Sequence, residues 1–158
     1  MKLILFVFLI SSSFLFADNS SLKQKNQVVA EEAFSNYTSS FNFEETINVI
    51  EKELKTLGIP IFAEFDHYQN AKEVNLDLRK TTVIVFGSPK VGTLLMQANQ
   101  NIALELPLKL LVMEDNSGNT IVRFKKMKYT AKEYNLENNE IVVKIDQLLE
   151  NIVQKLIK

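Results

Sequence analysis

The stretch TTVIVFG, Thr81 to Gly87, is apolar on both of the faces a strand presents. Successive side chains of a strand point to opposite faces, so a run of this kind belongs where both faces are covered, in the middle of a sheet. The rest of the chain has to supply flanking strands and covering helices. "SFNFEETINVIEKELKTLG" predicts a helix: Asn42 with Glu45 three residues later is a capping-box pattern, Ile47, Ile50, Leu54 and Leu57 recur at helical spacing, and Gly58 stands where a left-handed cap is needed. "IPIFAEFDH" predicts a strand with Ile61, Ala63 and Phe65 on one face and Phe62, Glu64 and Asp66 on the other. Ser88 and Pro89 read as the N-cap and first-turn pair of a helix through "KVGTLLMQANQN".

The remaining elements follow the same signals. "VVAEEAFSNYTSS", from Val28, predicts a first strand, and "YQNAKEVNLDLRK" a loop with one helical turn and a short extended piece. "ALELPLKLLVMED" and "TIVRFKKMKY" predict two strands joined by a hairpin at "NSGN". "TAKEYNL" fits a short helix, and the closing segment carries Ile141, Ile145, Leu148, Leu149, Ile152 and Leu156 as one apolar helical stripe. The main order is β-α-β-β-α-β-β-α. Strands that follow one another without a helix between them pair most simply as antiparallel, so the expected fold is a single α+β domain over residues 28–158 with helices packed on one face of a mostly antiparallel sheet.

The chain opens on Lys2, an apolar run from Leu3 to Phe16 and a small Ala17. A run of about 14 residues is short of the roughly 20 that span a bilayer, so residues 1–17 read as a signal peptide cleaved after Ala17. The rival reading is an uncleaved anchor, since Leu15 is large for its place before the cleavage point. Residues 18–27, rich in Ser, Asn, Gln and Lys, read as a flexible lead-in. The expected location is periplasmic or secreted, with no membrane attachment after cleavage. A formal net charge of −1 without a basic block argues against a nucleic-acid partner. The absence of cysteine excludes disulfides, thiolate metal sites and cysteine nucleophiles.

Two places carry candidate chemistry. His67, the one histidine, follows Asp66 at a strand end. A carboxylate beside an imidazole fixes its tautomer and raises its basicity, as in general bases and metal-ligand histidines. The alternative is that Asp66 caps the turn and His67 packs against the sheet. No cofactor is expected, because haem or metal ligation by His67 lacks companion ligands unless two copies meet at a dimer axis. The second place is "GSPKVGT", Gly87 to Thr93, which has the glycine spacing of a phosphate-binding loop but Thr93 where the lysine belongs. A strand feeding a helix start with Ser88, backbone N–H groups and Lys90 still suits a small anion. No Gly-x-Ser-x-Gly elbow is present, Met96, Met113 and Met127 read as core fillers, and Glu31–Glu32 and Glu44–Glu45 as solvated.

"GIPIFAEFDHYQNAK", "LRKTTVIVFGSPKVGTLLMQ" and "IALELPLKLLVMEDNSGNTIVRF" together resemble the domain-of-unknown-function 302 family, from about Phe41 to Tyr134. Asp66, His67, Ala71, Lys72, Phe86, Gly87, Pro89, Gly92, Thr93, Leu106 and Pro107 match the family's motif positions, while Ser88 stands where the family often has Asn. The resemblance implies a compact α+β fold with a curved antiparallel sheet, and no settled activity. The leading functional reading is an exported binding or accessory protein with a shallow site near Asp66, His67 and Lys90, the candidate ligand contacts being Asp66, His67, Lys72, Gly87, Ser88, Lys90 and Thr93. An enzyme using His67 as general base, oriented by Asp66, is the alternative. A third reading is an interaction module whose sheet forms a homodimer.

Overall fold

The computed structural model describes residues 23–24 and 31–157. The predicted leader, most of the predicted lead-in and the Val28 start of the predicted first strand lie outside the described residues. Ala33 to Lys158 forms one compact unit. Its strands are β1 (Phe34–Thr38), β2 (Ile61–Asp66), β3 (Thr81–Phe86), β4 (Leu108–Glu114) and β5 (Thr120–Lys125). They form one antiparallel sheet in the order β1-β5-β4-β3-β2. The helices are α1 (Phe43–Thr56), α2 (His67–Glu73), α3 (Pro89–Ala98), α4 (Met127–Lys132) and α5 (Glu140–Gln154), with a 3₁₀ helix at Gln100–Glu105.

The doubly apolar segment is an interior strand, as its composition requires: β3 lies between β2 and β4. Register places Ile84 and Phe86 beside Leu110 and Leu108 of β4, and Val112 beside Val122 of β5. With Phe124 these form the sheet's contribution to the core. Ile50 and Leu54 of α1, Leu95 of α3, Ala131 of α4, and Ile145, Leu149 and Ile152 of α5 cover them. α2 buries none of its residues, so the covering layer consists of the other helices. The opposite face carries Phe65, Val83, Leu111, Met113 and Ile121, all partly exposed.

α1 begins and ends as its sequence demands. The Glu45 N–H donates to Asn42 Oδ1 at 2.9 Å and the Asn42 N–H to Glu45 Oε2 at 3.4 Å, a reciprocal capping box. At the other end Gly58 takes φ +66°, the Ile59 N–H donates to the Leu54 carbonyl and the Gly58 N–H to the Lys55 carbonyl. This is a Schellman stop, which turns the chain sharply into β2.

Four departures from the sequence reading have physical causes. β1 starts at Phe34, because Glu31 and Glu32 before it are helical, and the strand-like alternation begins only after them. β2 contains a bulge between Ile61 and Ala63, so Ile61 pairs with Phe86 while Ala63 and Phe65 pair with Val85 and Val83. An extra residue in one strand reverses the alternation beyond it, which parts Ile61 from the face predicted for it. α2 follows β2 without a loop, since Asp66 caps it directly. β4 begins at Leu108, after the 3₁₀ turn and a cis Leu106–Pro107 bond.

Candidate functional site

The Schellman turn, the bulge in β2 and the end of β3 converge on one place. The bulge frees Phe62 from the ladder, and its ring lies against Gly87: a methyl group on Gly87 would sit 3.5 Å from Phe62 Cε2 and 3.7 Å from Pro107 Cβ. The Gly87 N–H donates to the Pro60 carbonyl at 3.2 Å, tying the end of β3 to the start of β2. Ser88 then occupies the N-cap position of α3, but its hydroxyl makes no capping bond, and Pro89 fills the first turn. One turn on, Gly92 faces Leu106, whose Cδ1 would lie 3.6 Å from an added methyl group.

These features leave an open cavity of about 680 Å³ at one end of the sheet. Leu57 and Ile59 after α1, Phe62 of β2, Phe86 of β3, Val91 and Met96 of α3, Leu106 and Leu108 beside the start of β4, and Ile145 and Leu148 of α5 line it. None of the residues lining it has an ionisable side chain, and the hydroxyls of Ser88 and Thr93 are its side-chain polar groups. Phe62 and Leu57, which line it, stand about half exposed at 51% and 46%, so apolar surface continues from the cavity onto the adjoining surface. The volume lies within the range of small-molecule pockets, which are mostly apolar with a few placed polar groups.

The seven residues predicted as ligand contacts divide between two locations. Gly87, Ser88 and Thr93 line the cavity. Asp66, His67, Lys72 and Lys90 do not. Asp66 is the N-cap of α2, its Oδ1 accepting the Gln69 N–H at 2.9 Å. His67 is the first residue of that helix and is exposed, with its ring stacked on Phe65 at 6.5 Å between centroids. Lys72 lies with its Nζ 4.1 Å from the centre of the Tyr68 ring, and Lys90 is exposed on α3. The capping half of the alternative reading of Asp66 and His67 is what the structure displays, while His67 is exposed and meets the sheet through its stacking on the Phe65 ring. Among the described residues no cluster of three His, Cys, Asp or Glu side chains could hold a metal ion.

Sequence reasoning did not find the apolar walls, because they come from segments distant in sequence and meet only after β2 bulges. Leu57 and Phe62 offered a signal. Both are large apolar residues flanking the turn at Gly58, and neither has a place in the core.

Burial and hydrogen bonding shift several ionisable groups elsewhere in the fold. Burial, followed by a hydrogen bond with Glu51, raises the Glu64 carboxyl above its ordinary value. Asp146 of α5 accepts the Met127 and Lys128 N–H groups at 2.5 and 3.0 Å and so caps α4 from another helix. Burial raises its value as well, with the two N–H groups acting against the rise. Glu150 receives hydrogen bonds from the hydroxyls of Ser35 and Tyr37, clamping α5 to β1 and raising the Tyr37 value.

Comparison with known proteins agrees with this architecture. A crystal structure titled as an uncharacterized conserved protein DUF302 from Bacillus stearothermophilus superposes with a TM-score of 0.72 at 23% identity, covering 78% of this chain and 98% of that one. Proteins named fluoride-specific ion channel FluC 1 from Brucella suis biovar 1 and from Brucella abortus biovar 1 are each 37% identical over 92 residues, 58% of this chain. The match covers 36% and 34% of those proteins, so this chain spans about a third of the length of the curated relatives it matches. The family described as Domain of unknown function DUF302 matches residues 35–152, and the chain belongs to that family.

Proposed function

We propose that this DUF302 protein is an exported binding or accessory module that takes a small, largely apolar molecule in the cavity between the β2 bulge and α3. The observation that carries this reading is the lining: about 680 Å³ walled by aliphatic and aromatic side chains, with no charge and with the Ser88 and Thr93 hydroxyls as anchors. Transfer of apolar ligand surface out of water drives binding, at about 25 cal/mol per Å², and the two hydroxyls orient it. A general acid or base is missing from the lining, and Asp66 is committed to the Gln69 N–H, so binding is better supported than catalysis. The leader at residues 1–17 supports export.

The accessory part of the reading draws on the channel relatives. A pore through a bilayer requires spanning helices or a closed barrel. Among the described residues no helix is long and apolar enough to cross a membrane, and the stretch shared with the channels is about a third of their length. This supports a domain that accompanies a transport protein and does not itself line a pore. The test is titration with the neutral fluorophore N-phenyl-1-naphthylamine. Saturable one-to-one fluorescence enhancement is expected, and Gly92→Leu, which projects a side chain into the cavity, is expected to abolish it. A Gly92→Leu protein that folds and binds the fluorophore as well as the native protein would remove the cavity from consideration.

A further inference from the structure

The cavity beside α3 is open to solvent, and its rim carries no charge. Leu57, Phe62, Pro89, Thr93 and Ala103 both line the cavity and are exposed. None of them is ionisable, in a chain where charged residues make up 23%. Depletion of charged residues, with aromatic residues enriched, marks the centre of a protein interface. A small ligand lying inside the cavity would leave this rim in water.

Beside Ala103 stands Leu104, the most exposed large apolar side chain among the described residues at 82%. Its direction follows from the 3₁₀ helix at Gln100–Glu105, in which side chains three residues apart eclipse one another. Ala103 and Leu106 share the side that lines the cavity, Ile102 is fully buried, and Leu104 is left with Asn101 on the side that meets water. The turn is held at both ends. Asn99 Oδ1 accepts the Asn101 N–H at 3.1 Å while Asn99 Nδ2 donates to the Tyr134 carbonyl at 2.9 Å, and Glu105 accepts the Tyr134 hydroxyl at 3.2 Å. A lone exposed leucine is ordinary on a protein surface. One fixed in place beside an uncharged apolar hollow is already ordered for contact, which lowers the entropy lost on binding.

We propose that a second copy of this chain docks on the rim across a two-fold axis, the Leu104 of each copy covering the open cavity of the other. A two-fold interface uses the same patch on both subunits, so one patch must supply both projection and hollow. The neighbouring residues Leu104 and Ala103 do so, the first projecting and the second lining the hollow. The exposed parts of Leu57, Phe62 and Leu104 amount to roughly 300 Å² per copy, and with the rest of the rim the two copies bury roughly 1,000 Å², the lower limit of a specific interface. The dimer is accordingly weak and concentration-dependent. Its effect on ligand rests on the cavity being a binding site: a molecule enclosed by the partner's Leu104 binds the dimer more tightly and, by linkage, tightens the dimer in return.

Sedimentation of the purified protein across the micromolar range, with and without N-phenyl-1-naphthylamine, tests the assignment. A monomer–dimer equilibrium is expected, tightened by the fluorophore. Leu104→Glu should weaken the dimer by about tenfold or more, the equivalent of one apolar anchor, with an unchanged circular dichroism spectrum because the side chain is exposed, and Leu104→Met should retain it. Leu104→Glu should also bind the fluorophore less tightly than the native dimer does. The proposal is overturned if the native protein stays monomeric throughout, if Leu104→Glu dimerises as the native protein does, or if Leu104→Glu stays monomeric yet binds the fluorophore as tightly as the native dimer. Saturable fluorophore binding by a protein that never dimerises would overturn the interface and leave the cavity as a ligand site, whereas a Leu104-dependent dimer that takes up no fluorophore would uphold the interface and remove the ligand site.

Discussion

Gly92 offers the sharpest test of the cavity because two opposite outcomes are distinguished by one atom. It is the fourth residue of a ten-residue helix, and glycine inside a helix costs roughly 0.5–1 kcal/mol relative to alanine. An added methyl group would have Leu106 Cδ1 as its nearest neighbour at 3.6 Å, an ordinary van der Waals contact. Were the space filled, the same methyl would overpack the wall at a cost of about 1–3 kcal/mol. With the cavity open, Gly92→Ala should therefore stabilise the protein by about 0.5–1 kcal/mol and raise its melting temperature by roughly 2–5 °C. Gly58→Ala is the control. Its φ is +66° and nothing lies within 4 Å of an added methyl, so only the left-handed backbone matters, and stability should fall by about 1–2 kcal/mol. Urea unfolding followed by circular dichroism measures both. A destabilised Gly92→Ala protein would mean that Leu106 and α3 close on one another and that the cavity is not open at this wall.

Two further outcomes concern polar groups. His67→Ala should change stability by less than about 0.5 kcal/mol because the side chain is exposed, whereas Asp66→Ala should cost about 0.5–2 kcal/mol through loss of the α2 cap without altering fluorophore binding; equal effects of the two in thermal unfolding would contradict these roles. The Asp146 carboxyl is raised by burial, so its stabilising contribution is complete below its unfolded value of about 3.9 and is lost as pH rises through the higher folded value. Asp146→Asn, which cannot ionise, should accordingly gain on the native protein between acidic and neutral pH in paired urea titrations, and a stability difference that stays flat with pH would refute the assignment.

The parts of the fold that could be read from the sequence were those decided by local chemistry. Asn42, Glu45 and Gly58 determine both ends of α1 through hydrogen bonds within a few residues, and each bond is present in the structure. TTVIVFG had to be interior because no other position covers both faces, and β3 is interior. The final helix was legible in kind, but its buried side also includes Val142 and Val153, since α5 packs against both α4 and α1 and so buries a wider stripe. The bulge at Phe62 was not legible. Alternation in "IPIFAEFDH" fits an unbroken strand equally well, and the extra residue is selected by pairing with Phe86 and Val85, residues more than twenty positions away.

The same distinction explains why the residues favoured by motif and the walls of the cavity differ so much. Reading by motif favours charged and catalytic residue types, and it led to Asp66, His67 and Lys90, which the fold places on exposed surface or in a cap. The turn at Gly87 to Thr93 was singled out for its glycines and its resemblance to an anion loop. In the structure those glycines have another consequence: small residues at 87 and 92 leave room where Phe62 and Leu106 approach.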